Sequence, residues 1–109
     1  MEKNIEKGEP FNLAGAAEYA AQSVVSKAVI KKDTGNITLF AFDKGEGLSE
    51  HTAPFDALVY VTDGKVEITL GGQPHLLVSG DAIIMPAGIP HALKGIEKFK
   101  MMLVMIREK

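Results

Sequence analysis

Cysteine is missing from this chain of 109 residues. That removes disulfides and thiolate metal sites together. Runs of apolar residues are short, and none approaches the roughly 20 needed to span a bilayer. Clustered positive charge is also lacking. Lys and Arg number 12 against 14 Asp and Glu, the net charge is −2, and the charges are scattered. No basic patch points to nucleic acid, and no basic amphipathic helix points to a membrane surface. The opening MEKNIEKGEP is polar and carries no apolar stretch of the secretory-signal kind. A cytoplasmic protein is the expectation.

What is present reads as one small domain. Hydrophobic residues make up 46% and charged residues 24%, a globular balance with one modest core. Residues 1–21 read as a lead-in and 22–109 as a barrel. Within the lead-in, residues 12–21 read either as a short helix, with Asn12 as its N-cap and alanine as its former, or as an irregular packed segment. Gly15 counts against the helix.

From Gln22 the texture becomes strand-like. Val24 to Ile30 is a β-branched run, and Asp33-Thr-Gly-Asn36 is a turn signal. Asn36 to Phe42 sets Ile37, Leu39 and Ala41 on one face and Thr38, Phe40 and Phe42 on the other. Both faces are largely apolar, so the strand is expected to be covered on both sides. Gly45 and Gly47 suggest a loop before His51. Ala57–Thr62 and Lys65–Leu70 read as strands joined by a hairpin at Asp63-Gly64, because a type I′ turn needs positive φ at both central residues. Gly71-Gly72 turns the chain again. Leu76–Val78, Ala82–Met85 and Phe99–Ile106 are further strands, and Gly/Pro/Asp turns at about 8–12 residue spacing give roughly nine short strands over the whole chain, which indicates an all-β sandwich or barrel.

Two spacings narrow the fold. In the first, Gly45, five residues, His51 and a closing Gly64 bracket Ala53 and Ala57. In the second, Gly80, Pro86, Gly88 and His91 recur in GDAIIMPAGIPH, followed by Gly95. These resemble the two signature motifs of the cupin family, G-x5-H-x-H-x3–4-E-x6-G and G-x5-P-x-G-x2-H-x3-N. The resemblance spans about residues 36–106. It implies a small single-domain cupin with a double-stranded β-helix, a jelly-roll barrel.

The resemblance also implies a site. In cupins that match the full pattern, two His and a Glu of the first motif and one His of the second bind a divalent metal. Here His51 and His91 are kept, while Ala53 and Ala57 stand where the other two ligands would be. Two imidazoles alone fall short of the three protein ligands usual in a catalytic site. The expectation is a divalent cation (Fe, Mn, Ni, Zn or Cu) held weakly or not at all. Asp56 and His75 are the reserve ligands. Strand alternation aims Asp56 away from the site, and no spacing ties His75 to either motif. Met85, Met101, Met102 and Met105 gather near the last strands, read first as adaptable packing and second as a thioether lining for a soft metal.

Three functions stay open. One is a small-molecule binding protein whose barrel carries His51 and His91. A second is a metal-dependent enzyme of the dioxygenase or isomerase type using those histidines. A third is a metal-free isomerase with histidine as acid and base. Surplus apolar strand surface at Leu58, Tyr60 and the outer face of 101–106 suggests a homodimer.

Overall fold

A computed structural model describes residues 5–107 as seven strands with no helix. In chain order these are β1 (Val24–Lys32), β2 (Gly35–Phe42), β3 (Gly47–His51), β4 (Ala57–Leu70), β5 (Gln73–Val78), β6 (Ala82–Met85) and β7 (His91–Ile106). All pairings are antiparallel.

The architecture turns on two long strands. β4 pairs with Met101–Met105 through Ala57–Val61, and with His91–Gly95 through Val66–Leu70. Between these halves the register slips twice, between Val61 and Asp63 and between Gly64 and Val66. Each half of the β4–β7 ribbon then recruits different neighbours. β2 pairs with Phe99–Ile106 and β6 with Ala57–Tyr60, and β1 adds outside β2. β3 pairs with His91–Lys94 and β5 with Lys65–Leu70. One continuous hydrogen-bonded sheet is thereby folded into two facing layers, the jelly-roll barrel expected from the motifs.

The Asp63-Gly64 pair does not make a hairpin. β4 runs through it. Gly64 does adopt the positive φ that the dipeptide advertised, +79°, but spends it on a bulge rather than a reversal. A Cβ there would collide with the Lys98 carbonyl of β7. The two-residue hairpin with positive φ at both positions falls instead at Gly71 (+53°) and Gly72 (+84°), between paired Leu70 and Gln73. Two further expectations change. Residues 47–51 are a strand rather than a loop, because β7 extends back to His91 and offers them a partner. The described strands number seven rather than about nine: 57–62 and 65–70 merge into β4, and 47–51 is added as β3.

Alternation sorts the side chains. Ala57, Val59 and Val61 of β4, Met101 and Leu103 of β7 and Met85 of β6 are buried between the layers with Val66, Ile68, Leu77 and Leu93 from the opposite half. Phe42 and Phe99 stack at 4.4 Å at the bend, with planes 5° apart. Burying an aromatic of this size contributes on the order of 2–3 kcal/mol.

β2 is covered on both faces, as its composition indicated. Phe40 and Phe42 belong to the barrel core, while Leu39 and Ala41 lie under Ala16 and Ala17 of the lead-in. The lead-in is the irregular alternative, not the helix. Asn12 closes one turn, its Oδ1 accepting from the Gly15 N–H at 2.8 Å, and the turn does not propagate. The small side chains Ala16 and Ala17 let the backbone lie close on the sheet, where Lys27 Nζ and Lys100 Nζ donate to the Ala16 and Ala14 carbonyls. Those outside donors replace helical hydrogen bonds. Tyr19 fastens the end of the segment. Its hydroxyl donates to Asp63 Oδ2 at 2.7 Å, and Lys98 and Lys100 lie 4.7 and 4.9 Å from its ring centre. No helix among the described residues is long and apolar enough to cross a membrane.

Candidate functional site

His51 ends β3 and His91 begins β7, and the two are directly paired across the strands. Their Nε2 atoms are 3.0 Å apart, with ring centres at 4.3 Å and planes at 70°. His91 is 4% exposed and is the one buried polar or charged residue among those described, while His51 faces solvent. The loop between β6 and β7 is pinned on both sides of this pair. The Gly88 N–H, at φ +76°, donates to the Ala53 carbonyl, and the Gly71 N–H donates to the Pro90 carbonyl, each at 2.8 Å.

Each ring is oriented by backbone. His51 Nδ1 lies 2.7 Å from the Ser49 carbonyl, and His91 Nδ1 lies 3.3 Å from the Ile89 carbonyl. A carbonyl can only accept, so each Nδ1 that bonds there does so as an N–H. A neutral imidazole has one N–H and one lone pair. With both rings neutral and both protons on Nδ1, the two Nε2 atoms present lone pairs to each other; with a proton on either Nε2, the 3.0 Å contact is a hydrogen bond. Adding a proton would relieve that opposition, but burial and then the neighbouring His51 hold the His91 pKa below its ordinary value, against a smaller opposing pull from the Ile89 carbonyl. The pair is complementary to something that donates: an O–H, an N–H or a cation.

The two nitrogens suit two ligand positions of a divalent cation. Among the described residues, no group of three or more His, Cys, Asp or Glu could hold a metal ion. Ala57 is buried in the core, and Ala53 supplies only its carbonyl to Gly88. Neither reserve ligand joins the pair. Asp56 lies by the outer groove described below, with Oδ1 accepting from the Ala87 N–H at 2.9 Å. His75 is exposed on β5, opposite Ile68. The donor set does not fit a catalytic metal with three protein ligands.

The opposite wall is visible from the register. Met85, Ala57, Met105 and Asn36 are successive partners across β6, β4, β7 and β2. The row His51, His91, Leu70 runs across β3, β7 and β4 in the other layer. Both rows lie at the ends of β4 and β7 farthest from the bend, so they flank the same mouth. Met85 and Met105 thus flank the vacated position at Ala57, Met101 pairs with Val61 deeper in the core, and Met102 packs outward against the lead-in.

The sheet also has an outer groove of about 960 Å³. Leu58, Ile84, Val104 and Ile106 floor it, with Asp56 and Arg107 beside them. The Arg107 guanidinium lies 5.2 Å over the Phe55 ring.

Comparisons with known proteins agree with this architecture. The family model for the cupin domain matches residues 38–107. A conserved protein of unknown function from Streptococcus pyogenes is 33% identical, with a TM-score of 0.92 over 99% of this chain and 95% of that one. A cupin superfamily protein from Desulfitobacterium hafniense is 32% identical, with a TM-score of 0.90 over 99% of both chains. Quercetin 2,3-dioxygenase of Bacillus subtilis strain 168 is 39% identical over 64 residues, which are 57% of this chain and 19% of that enzyme. This chain therefore spans about a fifth of the enzyme's length.

Proposed function

We propose, for a chain that belongs to the cupin domain family, that its barrel mouth binds a small molecule through a hydroxyl donated to the His51–His91 pair. The observation that carries this reading is the convergence of two Nε2 atoms at 3.0 Å, on rings whose Nδ1 atoms each face a backbone carbonyl. A neutral hydroxyl relieves the opposed lone pairs without charging a buried ring. The part-buried apolar side chains Leu70, beside His91, and Met105 suit a ligand with an apolar body.

The test uses 4-ethylphenol as probe and 4-ethylanisole, which lacks the donor, as control. Binding is followed by NMR on the full chain, wild type and His51→Ala/His91→Ala. Saturable phenol binding that weakens at least tenfold in the double variant, with the anisole weak throughout, supports the reading. Equal binding of the two probes overturns it.

A second reading, a metal-dependent enzyme of the dioxygenase type using His51 and His91, is favoured by the partial likeness to quercetin 2,3-dioxygenase. It requires a third ligand from the substrate or from a rearranged side chain. Metal content of protein purified without chelator or affinity tag separates the readings. Near-stoichiometric metal that is lost in His51→Ala/His91→Ala supports the enzyme, and no uptake of iron, manganese, nickel, zinc or copper removes it.

The proposal extends to a two-fold pair. An apolar row of Ile30, Ile37, Val104, Leu58 and Ile84 crosses the outer face of five strands. Such a row is self-complementary when one copy meets another about a two-fold axis.

A further inference from the structure

Resting on the binding reading above, we infer that Asn36 is the second polar anchor of the barrel mouth, and that the ligand carries a carbonyl acceptor opposite its hydroxyl donor. Asn36 is the direct cross-strand partner of Met105, whose side chain packs against the barrel core. It therefore shares the inward face with Met105, as do Thr38 opposite Leu103 and Phe40 opposite Met101. Its row continues through Ala57 to Met85 and lies across the mouth from His51 and His91. Between Met85 and β2 it is the one side chain of the row that can form hydrogen bonds of ordinary strength; its partner on β1, Lys31, is exposed at the sheet edge.

The amide has a defined polarity. The Thr38 hydroxyl donates to Asn36 Oδ1 at 3.4 Å in a part-buried setting. The acceptor end is thereby engaged, and the Nδ2 donors are left for a ligand. The two walls consequently ask for opposite things. The histidine wall accepts, and the Asn36 wall donates.

A ring bearing a hydroxyl at one end and a carbonyl at the other presents the two groups to opposite walls, with an apolar face toward the part-buried Met105. The ligand class is a compact hydroxyaryl or enol-type carbonyl compound whose two groups point in opposite directions. An alcohol alone satisfies one wall, and an apolar carbonyl compound leaves the histidine lone pairs opposed. Discrimination of this kind is favoured where a polar group of the protein would otherwise be left unpaired.

The experiment compares 4′-hydroxyacetophenone with 4-ethylphenol on the full chain, in wild type and in Asn36→Asp, which keeps the shape and removes the donor. The ketone is expected to bind wild type about tenfold more tightly than the phenol, the effect of one added neutral hydrogen bond. In Asn36→Asp the ketone is expected to lose that advantage while the phenol is nearly unchanged. In wild type, the Asn36 side-chain amide resonances should shift with the ketone and stay put with the phenol, a readout that does not depend on how the variant folds. If both probes bind wild type equally and the amide does not respond, the Asn36 assignment is overturned while the histidine reading stands. If neither probe binds, both are overturned.

Discussion

His91 Nε2 lies 3.0 Å from His51 Nε2, and the Nδ1 atoms of the two rings face the Ile89 and Ser49 carbonyls at 3.3 and 2.7 Å. The binding reading requires both protons on Nδ1, so that each Nε2 is a lone pair and not a donor. Two-bond proton–nitrogen correlation spectra should show both rings as Nδ1–H tautomers at pH 7.5. An Nε2–H tautomer on either ring would mean that the pair is an ordinary hydrogen bond, and the case for a donating ligand would lapse.

Stability should fall on mild acidification. The folded-state pKa of His91 is depressed by burial and by His51. The unfolded chain then binds a proton near the ordinary value of about 6.5 that the folded chain refuses. Because the unfolded state holds more protons in this window, stability rises with pH. The contribution is fully present above about pH 7.5 and is lost as pH drops through the depressed folded-state value. Thermal midpoints measured from pH 8 to pH 5 should decline in the wild type and be flatter in His91→Gln. A flat wild-type profile would contradict the assigned direction.

Glycine, proline and histidine spacing made the fold legible, because those residues carry backbone constraints that survive in a linear reading. Gly64, Gly80 and Gly88 all take positive φ, as turn and bulge positions require. Alternation in 36–42 also disclosed a strand covered on both faces. What escaped depended on partners distant in sequence. Asp63-Gly64 has the chemistry of a hairpin, and only the continuity of β7 makes it a bulge. Residues 12–17 have helix-forming alanines, but Lys27 and Lys100 supply the hydrogen bonds from outside. Asn36 read as the end of a turn, although counting back by twos from Phe40 would have set it inside. Both motifs pointed to His51 and His91, whereas the orientation of the two rings depends on the Ser49 and Ile89 carbonyls, which no spacing discloses.

The bulge at Gly64 has a measurable cost of substitution. Gly64→Ala faces both an unfavourable positive φ and a collision with the Lys98 carbonyl. Gly72→Ala faces only the positive φ, since its Cβ would meet nothing within 4 Å. The Gly72 variant should lose about 1 kcal/mol and the Gly64 variant more than about 3 kcal/mol. In a domain of this size that difference is worth more than about 8 °C in the thermal midpoint. Similar midpoints for the two variants would show that β7 yields at Lys98 and that the bend is not fixed by close approach.

Tyr19→Phe isolates the latch on the lead-in. The ring and its two lysine neighbours remain, while the 2.7 Å hydrogen bond to Asp63 is lost. Burial, with Asp63 adding to it, pushes the Tyr19 hydroxyl above its ordinary pKa, so the group stays a donor through the whole neutral range. A stability loss of about 1 kcal/mol is expected. Faster amide exchange should be confined to the lead-in and the strands beneath it, at Leu39 and Ala41, with the His51–His91 mouth unaffected. Uniform acceleration across the barrel would instead mean that the lead-in is part of the cooperative core.

The outer face makes the last prediction. The lead-in covers Leu39, Ala41 and Met102 but stops short of the row from Ile30 to Ile84. Ile84 is 61% exposed and Ile106 is 70% exposed beside the groove floored by Leu58 and Val104. A single-copy fold gives these side chains no reason to be large and apolar, whereas a two-fold pair buries them from both copies at once. Sedimentation velocity on the wild type should show a dimer, and Ile84→Arg should shift it toward monomer by placing two unpaired charges near the axis. The thermal midpoint of the variant should become independent of protein concentration, while that of the wild type should rise with it. A wild type that sediments as a monomer at every concentration would assign this face to some other occupant.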